Sequence, residues 1–237
     1  MSKPFVVLSS SRSGTNYVLS VFHQMQPGAC VLREVFRKGS DSVPDMVKLT
    51  GQPATELQPL AREDPVTLWE TLTQAADTAH KRLALKIFYY HQPASAPLWH
   101  RIAGEAQIVH LVRRRLLDTF ISLKRAEATG EWMRIGEGPK TQVPPITVDR
   151  GELAQFVRLR QRYVEAARAR FSEADFTEIA FEDIAADPAL CAEALAPILG
   201  VAAPHDVTIK VRRQNPLPPR ETVANYEDIA SFDRDLV

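Results

Sequence analysis

Short apolar runs alternate along this chain with stretches in which apolar residues recur at helical spacing. The run 5–8, Phe-Val-Val-Leu between Pro4 and Ser9, has the pattern of a strand covered on both faces in a parallel sheet. After a Ser-rich turn, Tyr17, Val18, Val21, Phe22 and Met25 mark one face of a helix that starts near Thr15 and stops before Pro27-Gly28. The run 29–32 predicts a second strand beside the first. Runs 83–90 and 108–112 predict two more buried strands, each leading into a helical segment. The later of these helices covers 116–128, with Gly130 as its C-cap. A basic amphipathic helix over 151–171, a strand over 176–181 and a helix over 188–199 ended by Gly200 complete the pattern. Such alternation predicts a three-layer α/β fold, a central mostly parallel sheet flanked by helices, as one domain over 1–237. Segments 36–60 and 130–149 read as long loops. Loops of that length inside a compact domain tend to be functional, and both are expected to cover a ligand.

Composition narrows the function. The 29 Lys and Arg balance 29 Asp and Glu, so no global field draws the chain to nucleic acid or an anionic bilayer, and any anion site must be local. Cys30 and Cys191 stand far apart, with no CxxC and no His at ligand spacing. Neither a disulfide framework nor a metal site is expected, and a reduced, cytoplasmic setting fits. The first apolar run is too short for a signal or transmembrane segment, and no other run is long enough to span a bilayer.

Two clusters carry chemistry. In the first, Ser9-Ser10-Ser11-Arg12-Ser13-Gly14-Thr15-Asn16 joins the first strand to the first helix. A small-residue turn there aims backbone N–H groups and the positive end of a helix dipole at one point, which suits an anion. Arg12 precedes Gly14 and no Lys follows, so a Walker-type triphosphatase loop is disfavoured. The bland alternative, Ser13 as an N-cap and Arg12 as a solvated charge, stays open. In the second cluster, the strand 108–112 ends in Arg113-Arg114-Arg115 at the sheet edge where open α/β folds bind ligands. Ser122 lies about 12 Å further along the helix, a span that Arg114 and a ligand could cover together if the arginine folds back. One phosphate could then take a guanidinium fork and a hydroxyl. The alternative is an exposed arginine cluster paired with Asp118.

Together, Ser11-Arg12-Ser13-Gly14-Thr15 and Arg114 with Asp118 and Ser122 resemble the two nucleotide-binding signatures of sulfotransferases that use 3′-phosphoadenosine 5′-phosphosulfate (PAPS). Leu-Arg-Glu34-Val-Phe36, Leu83-Ala-Leu-Lys86, 124–132, 181–184 and 225–229 are similar to the bacterial carbohydrate sulfotransferases acting on trehalose, lipopolysaccharide and Nod factor. The resemblance spans most of 5–232 and omits 37–80 and 133–150. It implies a P-loop-like sulfotransferase fold and PAPS as donor. Ser11, Arg12, Ser13, Gly14, Thr15 and Asn16 would face the 5′-phosphosulfate, and Arg114 with Ser122 the 3′-phosphate. Asn16 stands where a second Thr is common, and Phe181 where a Tyr is common. Asn16 can still donate a hydrogen bond, whereas Phe181 can only stack.

The expected reaction needs positive charge at the leaving phosphate, which Arg12 and the loop amides would supply, and a base for the acceptor hydroxyl. Glu34 is the candidate base, since it would emerge at the same sheet edge and its Glu-Val-Phe matches the carbohydrate subgroup. Lys86 could assist the bridging oxygen, and His91 is a rival base. Glu34 could instead be a surface carboxylate paired with Arg33 or Arg37, and His91, His23 and His110 could be packing residues. Trp132 could stack on a sugar or sit in a lid. The segment 204–237 is expected to close over the nucleotide, with Arg213 on a phosphate. The same basic stretch could be solvated or a dimer contact, so a homodimer stays open. The acceptor is expected to be a small molecule or glycolipid hydroxyl. A nucleotide kinase and a non-catalytic nucleotide-binding protein are the competing readings.

Overall fold

The computed structural model describes residues 2–91, 96–132, 144–204, 206–209 and 217–237. In chain order its elements are β1 (Phe5–Ser9), α1 (Thr15–Met25), β2 (Cys30–Val31), α2 (Val43–Thr50), α3 (Ala54–Glu63), α4 (Pro65–Thr78), β3 (Leu83–Phe88), α5 (Ala96–Glu105), β4 (Gln107–Val112), α6 (Leu116–Thr129), α7 (Arg150–Arg170), β5 (Phe176–Ala180), α8 (Phe181–Ile184) and α9 (Pro188–Leu199). Two short helices, α10 (Pro219–Thr222) and α11 (Tyr226–Ile229), follow near the C-terminus.

The five strands form one all-parallel sheet in the order β2-β3-β1-β4-β5. Side chains alternate between its faces, so β1 sends Val6 and Leu8 to one side and Phe5 and Val7 to the other. Val6 and Leu8, with Leu83, Leu85 and Ile87, pack under α3, α4, α5 and the C-terminal half of α7. Phe5 and Val7, with Val109 and Leu111, pack under α1 and α9. A third cluster joins α6, the start of α7 and the C-terminal segment through Phe120, Leu153, Val223 and Ile229. The three-layer α/β architecture predicted from the pattern is therefore the one observed.

Three local expectations are corrected. The run 29–32 forms only the two-residue β2, and it pairs with β3, not with β1. A parallel strand needs a long crossover before its partner, and the chain makes that crossover through α2, α3 and α4 before inserting β3 in the middle. Segment 36–60 is not a loop: α2 and most of α3 occupy it. Prolines 44, 53 and 59 break its apolar pattern, yet two of them sit at helix starts, where a missing N–H costs nothing. His23 is exposed, contrary to its reading as a packing residue.

His110 in β4 is fully buried and ties the layers together. Its Nε2 lies 2.6 Å from the Tyr89 hydroxyl, and its Nδ1 lies 3.0 Å from Glu178 on β5, a carboxylate that also receives two hydrogen bonds from Arg168 on α7. Burial outweighs the nearby carboxylate and lowers the His110 pKa from 6.5 to about 4. The unfolded chain therefore binds a proton at His110 between these values that the folded chain refuses. Stability should be greatest above pH 6.5 and fall by about 2–3 kcal/mol as the pH drops to 4. Urea denaturation at pH 7.5, 6, 5 and 4 checks this, and His110→Gln should flatten the slope over that window.

Candidate active site

The turn after β1 emerges between β3 and β4, at the point where the chain's crossovers diverge to opposite sides of the sheet. Its backbone is bent by two residues in the left-handed region, Arg12 at φ 67° and Gly14 at φ 90°. Gly14 needs to be glycine on two counts. A Cβ there would strain the left-handed backbone and would lie 2.2 Å from the Phe181 ring. Arg12, an ordinary residue in that conformation, is held by Arg113, whose Nη1 donates to the Arg12 carbonyl at 2.9 Å. Alternating conformations of this kind turn successive N–H groups inward and form a concavity suited to an anion. Gly14 caps α1 with no side-chain hydrogen bond, and no acidic residue occupies the first turn of that helix. The positive end of its dipole is left for an outside charge.

Cations gather around this turn. The Arg12 guanidinium reaches across to α6, donating to Ser122 Oγ from Nε (3.0 Å) and Nη2 (2.9 Å) and to the Trp132 carbonyl at 2.5 Å. Burial, with Arg113 adding repulsion, lowers its pKa to about 10, which leaves it charged at neutral pH. Lys86, buried on β3, donates to Asn16 Oδ1 at 2.8 Å and pairs with Glu34 at 3.0 Å. Its pKa is lowered by burial, against which Glu34 works. Arg113 lies 4.9 Å from the centre of the Phe181 ring.

Glu34 is the acidic counterpart. Besides Lys86, it meets His91 Nε2 at 3.6 Å and Arg37 at 3.5 Å. Burial would raise its pKa, but contacts with His91, Lys86 and Arg37 prevail and hold it at about 2. The Phe88 amide donates to His91 Nδ1, so the Nε2 proton faces the Glu34 carboxylate. One edge of the turn thus holds guanidinium, ammonium and helix dipole beside an ionised carboxylate, an arrangement that can stabilise a departing anion and accept a proton from a neighbouring hydroxyl.

The sequence profile of the sulfotransferase family matches residues 4–205. The chain belongs to the sulfotransferase family. Among solved structures, this sulfotransferase is similar to one from Alicyclobacillus acidocaldarius, at 17% identity over 98% of this chain and 92% of that one, with a TM-score of 0.52. It is also similar to the sulfotransferase domain from the curacin biosynthetic pathway, at 13% identity over 85% and 75% of the two chains, again with a TM-score of 0.52. At these identities the likeness establishes the P-loop-like sulfotransferase fold. No curated protein matches the sequence.

Several residues singled out from the sequence of this sulfotransferase converge. Ser11, Arg12, Ser13, Gly14, Thr15 and Asn16 form the turn and the start of α1, and Lys86, Glu34 and His91 line its β3 side. Ser13 is buried against Ser10, with 3.0 Å between the hydroxyls. The expectation that Arg114 folds back toward Ser122 is not met. Arg114 turns the other way, forming ion pairs with Asp183 on α8 and, at 3.4 Å, with Asp235, and Arg12 takes Ser122. Three acidic groups, Glu182, Asp183 and Asp235, set that direction. Of the pairings considered for Glu34, Arg37 takes part, while Arg33 bonds Asp41 instead. Trp132 is half-exposed. Arg213 lies outside the described residues.

Sequence reading missed Arg113, Arg160 and Tyr90. Arg160, near the middle of α7, is 7% exposed and lies 4.7 Å from the Phe156 ring centre and 5.6 Å from that of Tyr90. Its Nη2 is 3.5 Å from Ser11 Oγ, and the Ser11 amide donates to the Tyr90 hydroxyl at 3.2 Å. The only signal was an arginine on the apolar stripe of an otherwise amphipathic helix, sharing a face with Leu153, Val157 and Val164.

Breaking the Lys86–Glu34 pair leaves a buried charge without its main partner. Glu34→Gln should lower the unfolding free energy by about 2–4 kcal/mol. Removing both charges, Glu34→Gln with Lys86→Met, should recover most of that loss. Denaturation of the four members of this double-mutant cycle checks the coupling, and simple additivity would show that the two groups do not act as a pair.

Proposed function

We propose that this sulfotransferase moves the sulfuryl group of PAPS to a hydroxyl of a carbohydrate or glycolipid. The observation that carries this reading is the β1–α1 turn, with its left-handed Arg12 and Gly14, undercut helix N-terminus and buried Lys86 beside ionised Glu34. A phosphosulfate is a compact polyanion, and this turn concentrates what such a group requires: inward amides, a guanidinium and an ammonium in a low-dielectric cleft.

In this reading the acceptor oxygen forms a bond to sulfur, the bond from sulfur to the bridging oxygen breaks, and adenosine 3′,5′-bisphosphate leaves. The transition state is loose, so positioning and charge at the leaving oxygen do most of the work. Arg12 and the loop amides hold the 5′-phosphate. Lys86 turns its ammonium to the bridging oxygen, and Glu34 takes the acceptor proton. The two roles are linked, because a carboxylate held at about 2 is a weak base. As the Lys86 ammonium swings to the leaving group, Glu34 loses a partner that depresses its pKa and becomes more basic as the proton must move. His91 then keeps the carboxylate oriented. The 3′-phosphate is assigned to Arg114 and Ser122, which requires Arg114 to exchange Asp183 and Asp235 for the nucleotide, and Arg213 is assigned to the same nucleotide from the 204–237 segment. A bacterial cytoplasmic setting agrees with two unpaired cysteines.

A labelled-sulfate assay with PAPS against a panel of sugars and glycolipids tests the activity. Transfer should persist in excess EDTA, since side-chain cations supply the charge; loss on chelation with recovery on adding Mg²⁺ would support a kinase-like mechanism instead. Arg114→Ala should weaken binding of adenosine 3′,5′-bisphosphate by roughly a hundredfold and leave 5′-AMP nearly unchanged, measured by calorimetry. Equal effects on both nucleotides would return Arg114 to a structural role with Asp183.

A further inference from the structure

Arg160 reaches the β1–α1 turn from the middle of α7, and its position there is expensive. A guanidinium as buried as this one gives up most of its hydration. The rings of Phe156 and Tyr90, over which it lies, offset part of that loss through their faces and fix the plane of the group. Both rings are neutral, so they hold the charge without cancelling it. The edge carrying Nη2 faces the turn, 3.5 Å from Ser11 Oγ. Such a contact is at the outer limit of a hydrogen bond. An anionic oxygen beside Ser11 would replace it with a charge-assisted bond of about 2.7–2.9 Å.

Direct contacts connect Arg160 with the rest of the site. At the helix end of the turn, Lys86 bonds Asn16 Oδ1 at 2.8 Å and Glu34 at 3.0 Å. Glu34 lies 3.6 Å from His91 Nε2, and the His91 ring meets the Tyr90 ring edge-on, 5.4 Å between centres. Tyr90 closes the circuit at the strand end: its hydroxyl accepts from the Ser11 amide at 3.2 Å, and Arg160 lies over its ring. Arg160 thus touches the turn itself and shares, through Tyr90 and His91, the wall that presents Glu34. The part of the donor that must meet both the phosphate in the turn and the base is the sulfuryl group. We propose that Arg160 holds the non-bridging oxygens of that group and aims its sulfur at the acceptor hydroxyl. The proposal rests on the sulfotransferase reading above. In a loose transition state positioning is most of catalysis, and a guanidinium fixed between two rings is a rigid guide for it. Arg12 and Lys86 keep the separate task of meeting the leaving oxygen.

Adenosine 3′,5′-bisphosphate is PAPS without the sulfuryl group, so the two nucleotides together isolate this contact. Arg160→Met keeps an apolar stem between the rings and removes the charge. Calorimetry on the full chain without acceptor should show it weakening PAPS by about tenfold or more and the bisphosphate by less than about twofold. Arg160→Lys keeps the charge and loses the planar fork, so its loss should be smaller. Circular dichroism checks folding. If Arg160→Met does not fold, Arg160→Lys decides the matter, through a loss of about threefold or more in the preference for PAPS over the bisphosphate. In the labelled-sulfate assay, kcat at saturating PAPS should fall by about tenfold or more, with the acceptor KM within about twofold. Equal weakening of both nucleotides, or of neither, overturns the proposal and returns Arg160 to packing α7 against the turn. A rise in acceptor KM at unchanged PAPS affinity overturns it too, and moves Arg160 to the acceptor. Each of these results leaves sulfotransfer by the wild-type protein intact. A wild-type protein that binds both nucleotides but transfers no sulfate overturns the sulfotransferase chemistry, and the ratio of nucleotide affinities in the variants still decides the Arg160 contact. One that binds neither nucleotide overturns both.

Discussion

Positive charge gathered at one sheet edge is the constraint from which the rest of this structure follows. Arg12, Lys86, Arg113 and Arg160 all converge on the turn after β1, where burial weakens solvent screening and their mutual repulsion is felt. Each is balanced by a different device. Ser122 and the Trp132 carbonyl take the Arg12 guanidinium, Glu34 takes Lys86, Asp118 and Glu182 stand 3.8 Å from Arg113, and aromatic rings flank Arg160. None of these devices places an acidic side chain in the first turn of α1, whose N-terminus is left for an outside charge. What remains is a local field of the kind that zero net charge would hide.

The same compensation shapes the surroundings. Phe181, which cannot donate a hydrogen bond, fills the space left by the missing Cβ of Gly14 and offers its face to Arg113, so one ring serves backbone packing and charge placement together. Arg115, by contrast, pairs with Asp118 and Asp233 and anchors the C-terminal segment, where the Leu236 amide also donates to the Arg114 carbonyl. The three consecutive arginines thus divide: one faces the turn and two face acidic groups of α8 and the C-terminus. A run of identical residues acquires different roles because successive side chains leaving a strand point in different directions.

Periodicity and turn chemistry determined a good deal by themselves. Short alternating apolar runs require a sheet buried on both faces, and glycines after the helical patterns at 130 and 200 end α6 and α9 as C-caps in the left-handed region. The Ser-Arg-Ser-Gly-Thr turn was legible as an anion site because its chemistry is local, resting on backbone direction and residues adjacent in sequence. Lys86 was legible too, since a cation within a fully buried strand requires a partner.

Strand order and the partners of each charge were decided only by tertiary structure. The sequence placed the run 29–32 beside β1, but nothing local says that β3 comes between them, because strand order depends on which crossover buries the most apolar surface. Arg114 and Arg12 compete for Ser122 across more than a hundred residues of chain, and the winner is set by three acidic groups on α8 and the C-terminus that no spacing rule brings near. Arg160 reaches Ser11 from 149 positions away. Helices α2 and α3, broken in pattern by their prolines, gain their stability from packing Met46 and Leu57 into the core and not from propensity, so their existence had no local signature.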